Sequence, residues 1–161
     1  MPDLRILRGK EILAVDDEPD VLDLITELLP DSHITPARDY ESARRLILTR
    51  EFDLVILDIM GVNGFALLEL CRERESPAAM LTAHSITAES VNKSLKLGAV
   101  SFLPKDELAR LPELVAEILE GLAEGKSHWE KLFQRLGPFF KKRIGLTWEE
   151  LENPKQPPYM Y

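Results

Sequence analysis

The clearest strand in the sequence is Asp53-Leu54-Val55-Ile56-Leu57, which ends at Asp58. Consecutive apolar residues that stop at a carboxylate predict a strand buried on both faces of a sheet. An equivalent run, Glu11-Ile12-Leu13-Ala14-Val15, stops at Asp16-Asp17. Shorter runs predict two more strands at 78–81 and 100–103, and a weaker candidate covers 32–36. Together these runs indicate five short strands.

A segment with helical spacing of apolar residues follows each predicted strand. The first is bounded by Pro19 and Pro30, which suit a helix start and stop. N-cap candidates for the next three helices are Asp39, Asn63 and Thr87. A long fifth helix is predicted from Asp106 to about Leu122. Five strand–helix repeats predict a doubly wound α/β fold, with a parallel sheet covered on both faces.

Length and charge divide the chain into two parts. Its 161 residues suit one domain of about 120 residues with an appendage. Residues 1–125 hold 13 Lys/Arg and 24 Asp/Glu, whereas residues 126–161 hold 7 and 4. We therefore expect an acidic domain at 1–125, a poor partner for duplex DNA, and a basic extension at 126–161.

Cysteine content and hydropathy indicate the compartment. The single cysteine, Cys71, allows no intramolecular disulfide. The sequence contains no apolar run of about 18 residues and no apolar signal-peptide core. These features predict a cytoplasmic protein.

Polar residues stand at corresponding ends of the predicted strands. Asp16 and Asp17 follow the first strand and Asp58 the third; Thr82 and Lys105 follow the fourth and fifth. Parallel strands bring their carboxyl ends to one edge of the sheet, where ligands bind in such folds. Carboxylates packed together need a cation, and hard oxygen ligands suit Mg²⁺. A carboxylate can also accept a phosphoryl group.

This set of residues resembles the receiver-domain family of two-component signalling. The matching motifs are Asp16-Asp17, Leu57-Asp58, Leu81-Thr82-Ala83 and Phe102-Leu103-Pro104-Lys105, within about residues 10–124. The resemblance implies a flavodoxin-like sheet with strand order 2-1-3-4-5. Each motif alone has an ordinary structural explanation, such as acids at a helix N-terminus, a surface lysine or a core phenylalanine; together and in order they are specific.

The resemblance also implies a role for each matching residue. Asp58 would be the phosphoacceptor. Mg²⁺ would be held by Asp16, largely through water, by Asp17 and Asp58, and by the backbone carbonyl of Met60. Thr82 and Lys105 would contact the phosphoryl group. Thr82 and Phe102 would be the switch residues.

One loop departs from the family pattern. Members usually have a proline four residues after the acceptor and a glycine four residues later, but Val62 occupies the first position and Gly64 arrives about two residues early. The sequence therefore predicts a shorter loop, which puts the Met60 ligand and the partner-facing shape in question. His84, two residues after Thr82, has two interpretations: an exposed loop residue or a neighbour of the site.

The functional hypothesis is a single-domain response regulator or phosphorelay receiver. A histidine kinase or histidine phosphotransfer protein would supply the phosphoryl group, and a protein target would receive the signal, because no DNA-binding domain is recognisable. The chain would not be an enzyme beyond its own phosphorylation and dephosphorylation. A phosphohydrolase would usually have a second acid at position 60, where Met60 stands. The alternative is a degenerate receiver that binds proteins without phosphorylation.

The extension contains a second amphipathic pattern, which predicts a helix from about His128 to Arg143. Its apolar positions are Trp129, Leu132, Phe133, Leu136, Phe139 and Phe140. Three interpretations stay open, in order of preference: a helix docked on the receiver, a partner or dimer helix, and a basic segment on an anionic membrane. Three prolines in 153–161 predict an extended or disordered end.

Overall fold

A computed structural model describes residues 2–83 and 87–125. It contains five strands and five α-helices in strict alternation. In chain order they are β1 (Glu11–Val15), α1 (Pro19–Leu28), β2 (His33–Ala37), α2 (Tyr40–Thr49), β3 (Leu54–Asp58), α3 (Gly64–Glu73), β4 (Ala78–Thr82), α4 (Ala88–Lys96), β5 (Ser101–Pro104) and α5 (Leu111–Glu124). Short 3-10 helices precede β1 at Leu4–Leu7 and α5 at Lys105–Arg110.

The five strands form one parallel sheet in the order β2-β1-β3-β4-β5. Every residue of β3 and β4 is buried, as expected for central strands with helices on both faces. Helix α1 packs against α5, and α2 packs against α3. The predicted doubly wound fold and its strand order are therefore confirmed.

Most of the predicted helix boundaries have the expected local cause. Asp39 accepts a hydrogen bond from the Ser42 N–H at 2.8 Å, and Thr87 accepts one from the Ser90 N–H at 3.1 Å. Asn63 differs from the prediction. It precedes α3 in the left-handed conformation, at φ 55°, and its side chain makes no capping hydrogen bond. Asparagine tolerates this conformation, so its contribution is to the turn rather than to the cap.

The predicted start of α5 at Asp106 is wrong. Residues Lys105–Arg110 form a 3-10 helix in which Glu107 leaves helical geometry, and the α-helix begins only at Leu111. Pro112 lies in its first turn, where the missing N–H has no helical partner to lose. The chain leaves α5 at Gly125, at φ 69°. The proposed domain boundary at residue 125 stays a prediction. Three other predictions concern residues outside the described ranges: His84, the helix at 128–143 and the proline-rich end.

Candidate functional site

The carboxyl edge of the sheet brings together the polar residues that follow its strands. Asp58 is the last residue of β3 and Thr82 the last of β4. Asp58 pairs in register with Leu81, so Thr82 lies one residue further along the neighbouring strand. Asp16 follows β1 directly, and Lys105 follows β5. The edge therefore collects side chains from four strands that lie far apart in sequence.

Lys105 is the cation at the centre of this group. Its Nζ lies 2.9 Å from Asp16 Oδ2, 3.4 Å from Asp58 Oδ1 and 3.8 Å from Glu18 Oε2. Burial works against the charge of Lys105, but the bond to Asp16 and the neighbouring negative charges outweigh it and raise the pKa of the ammonium. The lysine therefore stays protonated and bridges the acids of β1 and β3.

Asp16 is completely buried beside that lysine. Burial raises the pKa of Asp16, although the hydrogen bond from the Glu18 N–H, at 2.9 Å, and the bond from Lys105 act in the opposite direction. The charge of Asp58 adds to the rise. A carboxylate in this position is stabilised by additional positive charge.

The loop after β3 holds the other side of Asp58. The Gly61 N–H donates to Asp58 Oδ2 at 3.0 Å, so one carboxylate oxygen contacts the backbone and the other faces Lys105. A Cβ on Gly61 would collide with the carboxylate of Asp17. With any residue other than glycine at 61, the Asp17 side chain would have to move away. Sequence reasoning missed this role; the displaced glycine pattern of the loop was the available signal.

Several features of the edge fit a hard divalent cation and a phosphoryl group. Carboxylate oxygens of Asp16, Asp17 and Glu18 lie within 4.8 Å of one another, and the carboxylate of Asp58 lies 3.4 Å from Lys105 Nζ, which also contacts Asp16. Oxygen donors of this kind suit Mg²⁺. Thr82 is buried, and its hydroxyl has no hydrogen-bond partner within the described parts of the chain, 2–83 and 87–125. Such an orphaned hydroxyl suits a ligand oxygen.

The remaining predicted residues have simpler surroundings. The side chain of Met60 is 81% exposed, so only its backbone is a candidate ligand. Phe102 is fully buried in β5, opposite Met80 of β4. Cys71 is buried in α3 and lies apart from the site. Within the described part of the chain, no helix has the length and apolar character needed to cross a bilayer.

A family model and the similar curated proteins point to the same protein family. The model of the response regulator receiver domain matches residues 12–118. The response regulator protein PilR of Pseudomonas aeruginosa is 35% identical over 117 residues, which cover 68% of this chain and 26% of PilR. Two-component response regulator ARR18 of Arabidopsis thaliana is 40% identical over 103 residues, covering 60% and 16%. Protein PetR of Rhodobacter capsulatus is 31% identical over 156 residues, covering 91% and 62%. The chain thus spans less than two thirds of each of these relatives.

Solved structures show the same fold. The CheY-like receiver domain protein of Methanospirillum hungatei superposes with a TM-score of 0.66 at 26% identity, covering 72% of this chain and 98% of that one. The structure of NtrX from Brucella abortus gives 0.60 at 32% identity, covering 72% and 28%. Sheet order and family match agree, and the chain belongs to the response regulator receiver domain family.

Proposed function

We propose that this chain is a phosphoacceptor that takes a phosphoryl group on Asp58 in the presence of Mg²⁺. The observation that supports this most directly is the position of Lys105 Nζ between Asp16 and Asp58, at 2.9 and 3.4 Å. An ammonium held there can contact the oxygens of a group attached to Asp58. The buried hydroxyl of Thr82 is a second donor.

The transfer uses a phosphohistidine of a kinase or phosphotransfer protein as donor. An oxygen of the Asp58 carboxylate bonds to phosphorus as the bond from phosphorus to the donor nitrogen breaks, and the imidazole leaves with that electron pair. Lys105 and Thr82 then hold the oxygens of the new acyl phosphate. Asp16, Asp17, Asp58 and the Met60 carbonyl would hold Mg²⁺, which neutralises charge on the transferring group.

The output is contact with another protein. We infer that phosphorylation shifts an existing equilibrium between two conformations. Thr82 and Lys105 move toward the added charge, and the switch residue Phe102 changes its side-chain rotamer. We propose that the chain acts as a single-domain cytoplasmic regulator with no chemistry on an external substrate. Its family membership supports a histidine kinase or a histidine phosphotransfer protein as the class of donor.

Intact mass spectrometry after incubation with acetyl phosphate and Mg²⁺ tests the acceptor. Wild type should gain about 80 Da, one phosphoryl group, and lose the gain when EDTA is present. Asp58→Asn should gain nothing. Asp53→Asn is a matched control, because Asp53 lies at the opposite end of β3 and bonds the Glu11 N–H at 2.8 Å. It should be labelled like wild type.

Failure of wild type to gain mass, together with failure to bind berylliofluoride, would sink the phosphoacceptor proposal. The degenerate receiver that binds proteins without phosphorylation would then be the better description. Labelling of Asp58→Asn would instead place the acceptor at another residue.

A further inference from the structure

The loop after β3 contains the pair Asn63-Gly64, and no other asparagine in the sequence precedes a glycine. The remaining two, Asn92 and Asn153, precede a lysine and a proline. When glycine follows asparagine, its backbone nitrogen can approach the side-chain amide closely, because glycine has no Cβ in the way. That approach starts spontaneous deamidation, in which the amide is converted to an acid. The sequence therefore favours one asparagine for this reaction.

The side chain of Asn63 is accessible to the water that the reaction consumes. Asn63 is exposed, and its amide makes no capping hydrogen bond to α3. Asn92 differs, since the Oδ1 atom of its side chain is buried in α4. Within the parts of the chain that the structure describes, Asn63 is thus the asparagine that combines a following glycine with access to solvent.

The backbone nitrogen of Gly64 is restrained in the folded protein. Its N–H donates a hydrogen bond to the Ile59 carbonyl at 3.1 Å. The nitrogen has to lose that proton when it attacks, so the reaction requires the bond to break. Most of the residues between the two bonded positions are exposed, namely Met60, Gly61 and Asn63. Opening this short loop therefore costs much less than unfolding the sheet.

We propose that Asn63 is a deamidation site of the folded protein, and that its isoaspartate product disrupts the loop that holds Asp58. When the loop opens, the Gly64 nitrogen bonds to Asn63 Cγ, and the side-chain nitrogen leaves as ammonia with the proton from Gly64. The product is a cyclic succinimide. Water then opens the ring at one carbonyl group or the other, which gives aspartate or isoaspartate.

The two products differ in the path of the main chain. Both carry a new negative charge, but aspartate keeps the original path. In isoaspartate the main chain runs through Cβ and Cγ of residue 63, so it is one carbon atom longer before it reaches Gly64. A difference between the two forms therefore reports on backbone length and not on charge.

The end of β3 has no room for the longer chain. A Cβ on Gly64 would already meet the carbonyl oxygen of Asp58 and lie 2.9 Å from Ile59 Cα. An additional backbone atom just before Gly64 has to displace this residue or push the loop outward. Either movement separates the Gly61 nitrogen from Asp58 Oδ2, 3.0 Å away. Deamidation at Asn63 depends on the geometry of this loop and not on the proposed phosphorylation of Asp58.

Peptide mapping by mass spectrometry of the full chain tests the reaction. During incubation at mildly alkaline pH, the peptide that contains Asn63 should gain about 1 Da, the difference between an amide and an acid. The gain should be on the order of tenfold slower in the folded protein than in urea, because only the open loop reacts. Asn63→Gln is the matched control. It should gain nothing at residue 63 over the same time, since its longer side chain closes a larger ring much more slowly.

The isoaspartate form, separated by chromatography and identified by electron-transfer fragmentation, tests the consequence. It should unfold at a lower urea concentration than wild type, and the amide resonance of Gly61 should move, because its hydrogen bond to Asp58 is lost. Asn63→Asp has the same added charge on a main chain of normal length. This variant should keep both the unfolding midpoint and the Gly61 resonance close to those of wild type.

Three results would overturn the proposal. If residue 63 stays unconverted in the folded protein while the urea-unfolded chain reacts, the loop does not open. If the two states react at equal rates, the hydrogen bond from Gly64 to Ile59 does not restrain the reaction. If the isoaspartate form has the midpoint and the Gly61 resonance of wild type, the loop accommodates the longer chain without disturbing Asp58.

Discussion

Gly61, in the loop after β3, and Gly64, the first residue of α3, are needed for different reasons. A Cβ on Gly64 would meet backbone atoms: the carbonyl oxygen of Asp58, Ile59 Cα at 2.9 Å and the Asp58 carbonyl carbon at 3.0 Å. The three atoms nearest to a Cβ on Gly61 all belong to the side chain of Asp17, which is exposed and can turn away. The contact at Gly64 therefore affects the stability of the fold, whereas the contact at Gly61 affects the geometry of the site.

Gly64→Ala should therefore destabilise the domain. The end of β3 cannot move without disturbing the centre of the sheet, and such overpacking commonly costs about 1–3 kcal/mol. Urea unfolding followed by circular dichroism measures the change. A midpoint equal to that of wild type would mean that the loop can relax around the new methyl group.

Gly61→Ala should leave the unfolding midpoint almost unchanged but weaken Mg²⁺ binding, because the displaced Asp17 carboxylate no longer faces the site. A loss on the order of tenfold is expected when a ligand's positioning is disturbed. Calorimetric titration measures it. Gly9→Ala is the control, since its Cβ meets no atom within 4 Å and any strain there comes from its φ of +70°. If Gly61→Ala binds Mg²⁺ as tightly as wild type, Asp17 is not a ligand of the metal.

At this scale the sequence predicted which side chains meet, but not the backbone contact that holds Asp58. Asp16, Asp58, Thr82 and Lys105 lie at one edge because each stands at the carboxyl end of a parallel strand, and that placement was predictable from the hydrophobic pattern. The N–H of Gly61 points at Asp58 because of local dihedral angles in an irregular loop. No periodicity specifies those angles.

At the scale of single elements, helix α3 contains a buried cysteine thiol. Burial raises the pKa of Cys71 to about 12, because the thiolate loses its hydration. At pH 8 the thiol form therefore predominates, and only the thiolate reacts. Iodoacetamide should label this single cysteine in urea but leave the folded protein almost unmodified over the same time. Rapid labelling of the folded protein would show that α3 opens readily from the sheet.

Secondary-structure elements were predictable where the sequence has a clear apolar run or a helical period. The strands lie within about one residue of their predicted ends, since continuous apolar runs mark them clearly. The Leu4–Leu7 helix was missed, because four residues carry no usable period. The start of α5 was misplaced, because a 3-10 turn at Lys105–Arg110 is set by where β5 delivers the chain.

Binding of Mg²⁺ at the carboxyl edge of the sheet should stabilise the whole domain. Mg²⁺ that binds only the folded state should add about 2.7 kcal/mol at 100 times its dissociation constant. Thermal unfolding with MgCl₂, against NaCl of equal ionic strength, measures this gain. Asp17→Asn should reduce the gain, whereas Asp53→Asn should preserve it. Equal unfolding temperatures in the two salts would contradict a specific site.

The order of the strands along the chain also governs when the site can exist. The acids arrive with β1 and β3, but the lysine between them arrives only with β5, the last of the strands in the described part of the chain to be synthesised. A nascent chain that has emerged through α3 holds like charges at one edge with no cation to separate them. A half-made or truncated molecule is thus unlike the finished receiver in charge as well as in shape. The charge arrangement of the site is therefore complete only once β5 has joined the sheet.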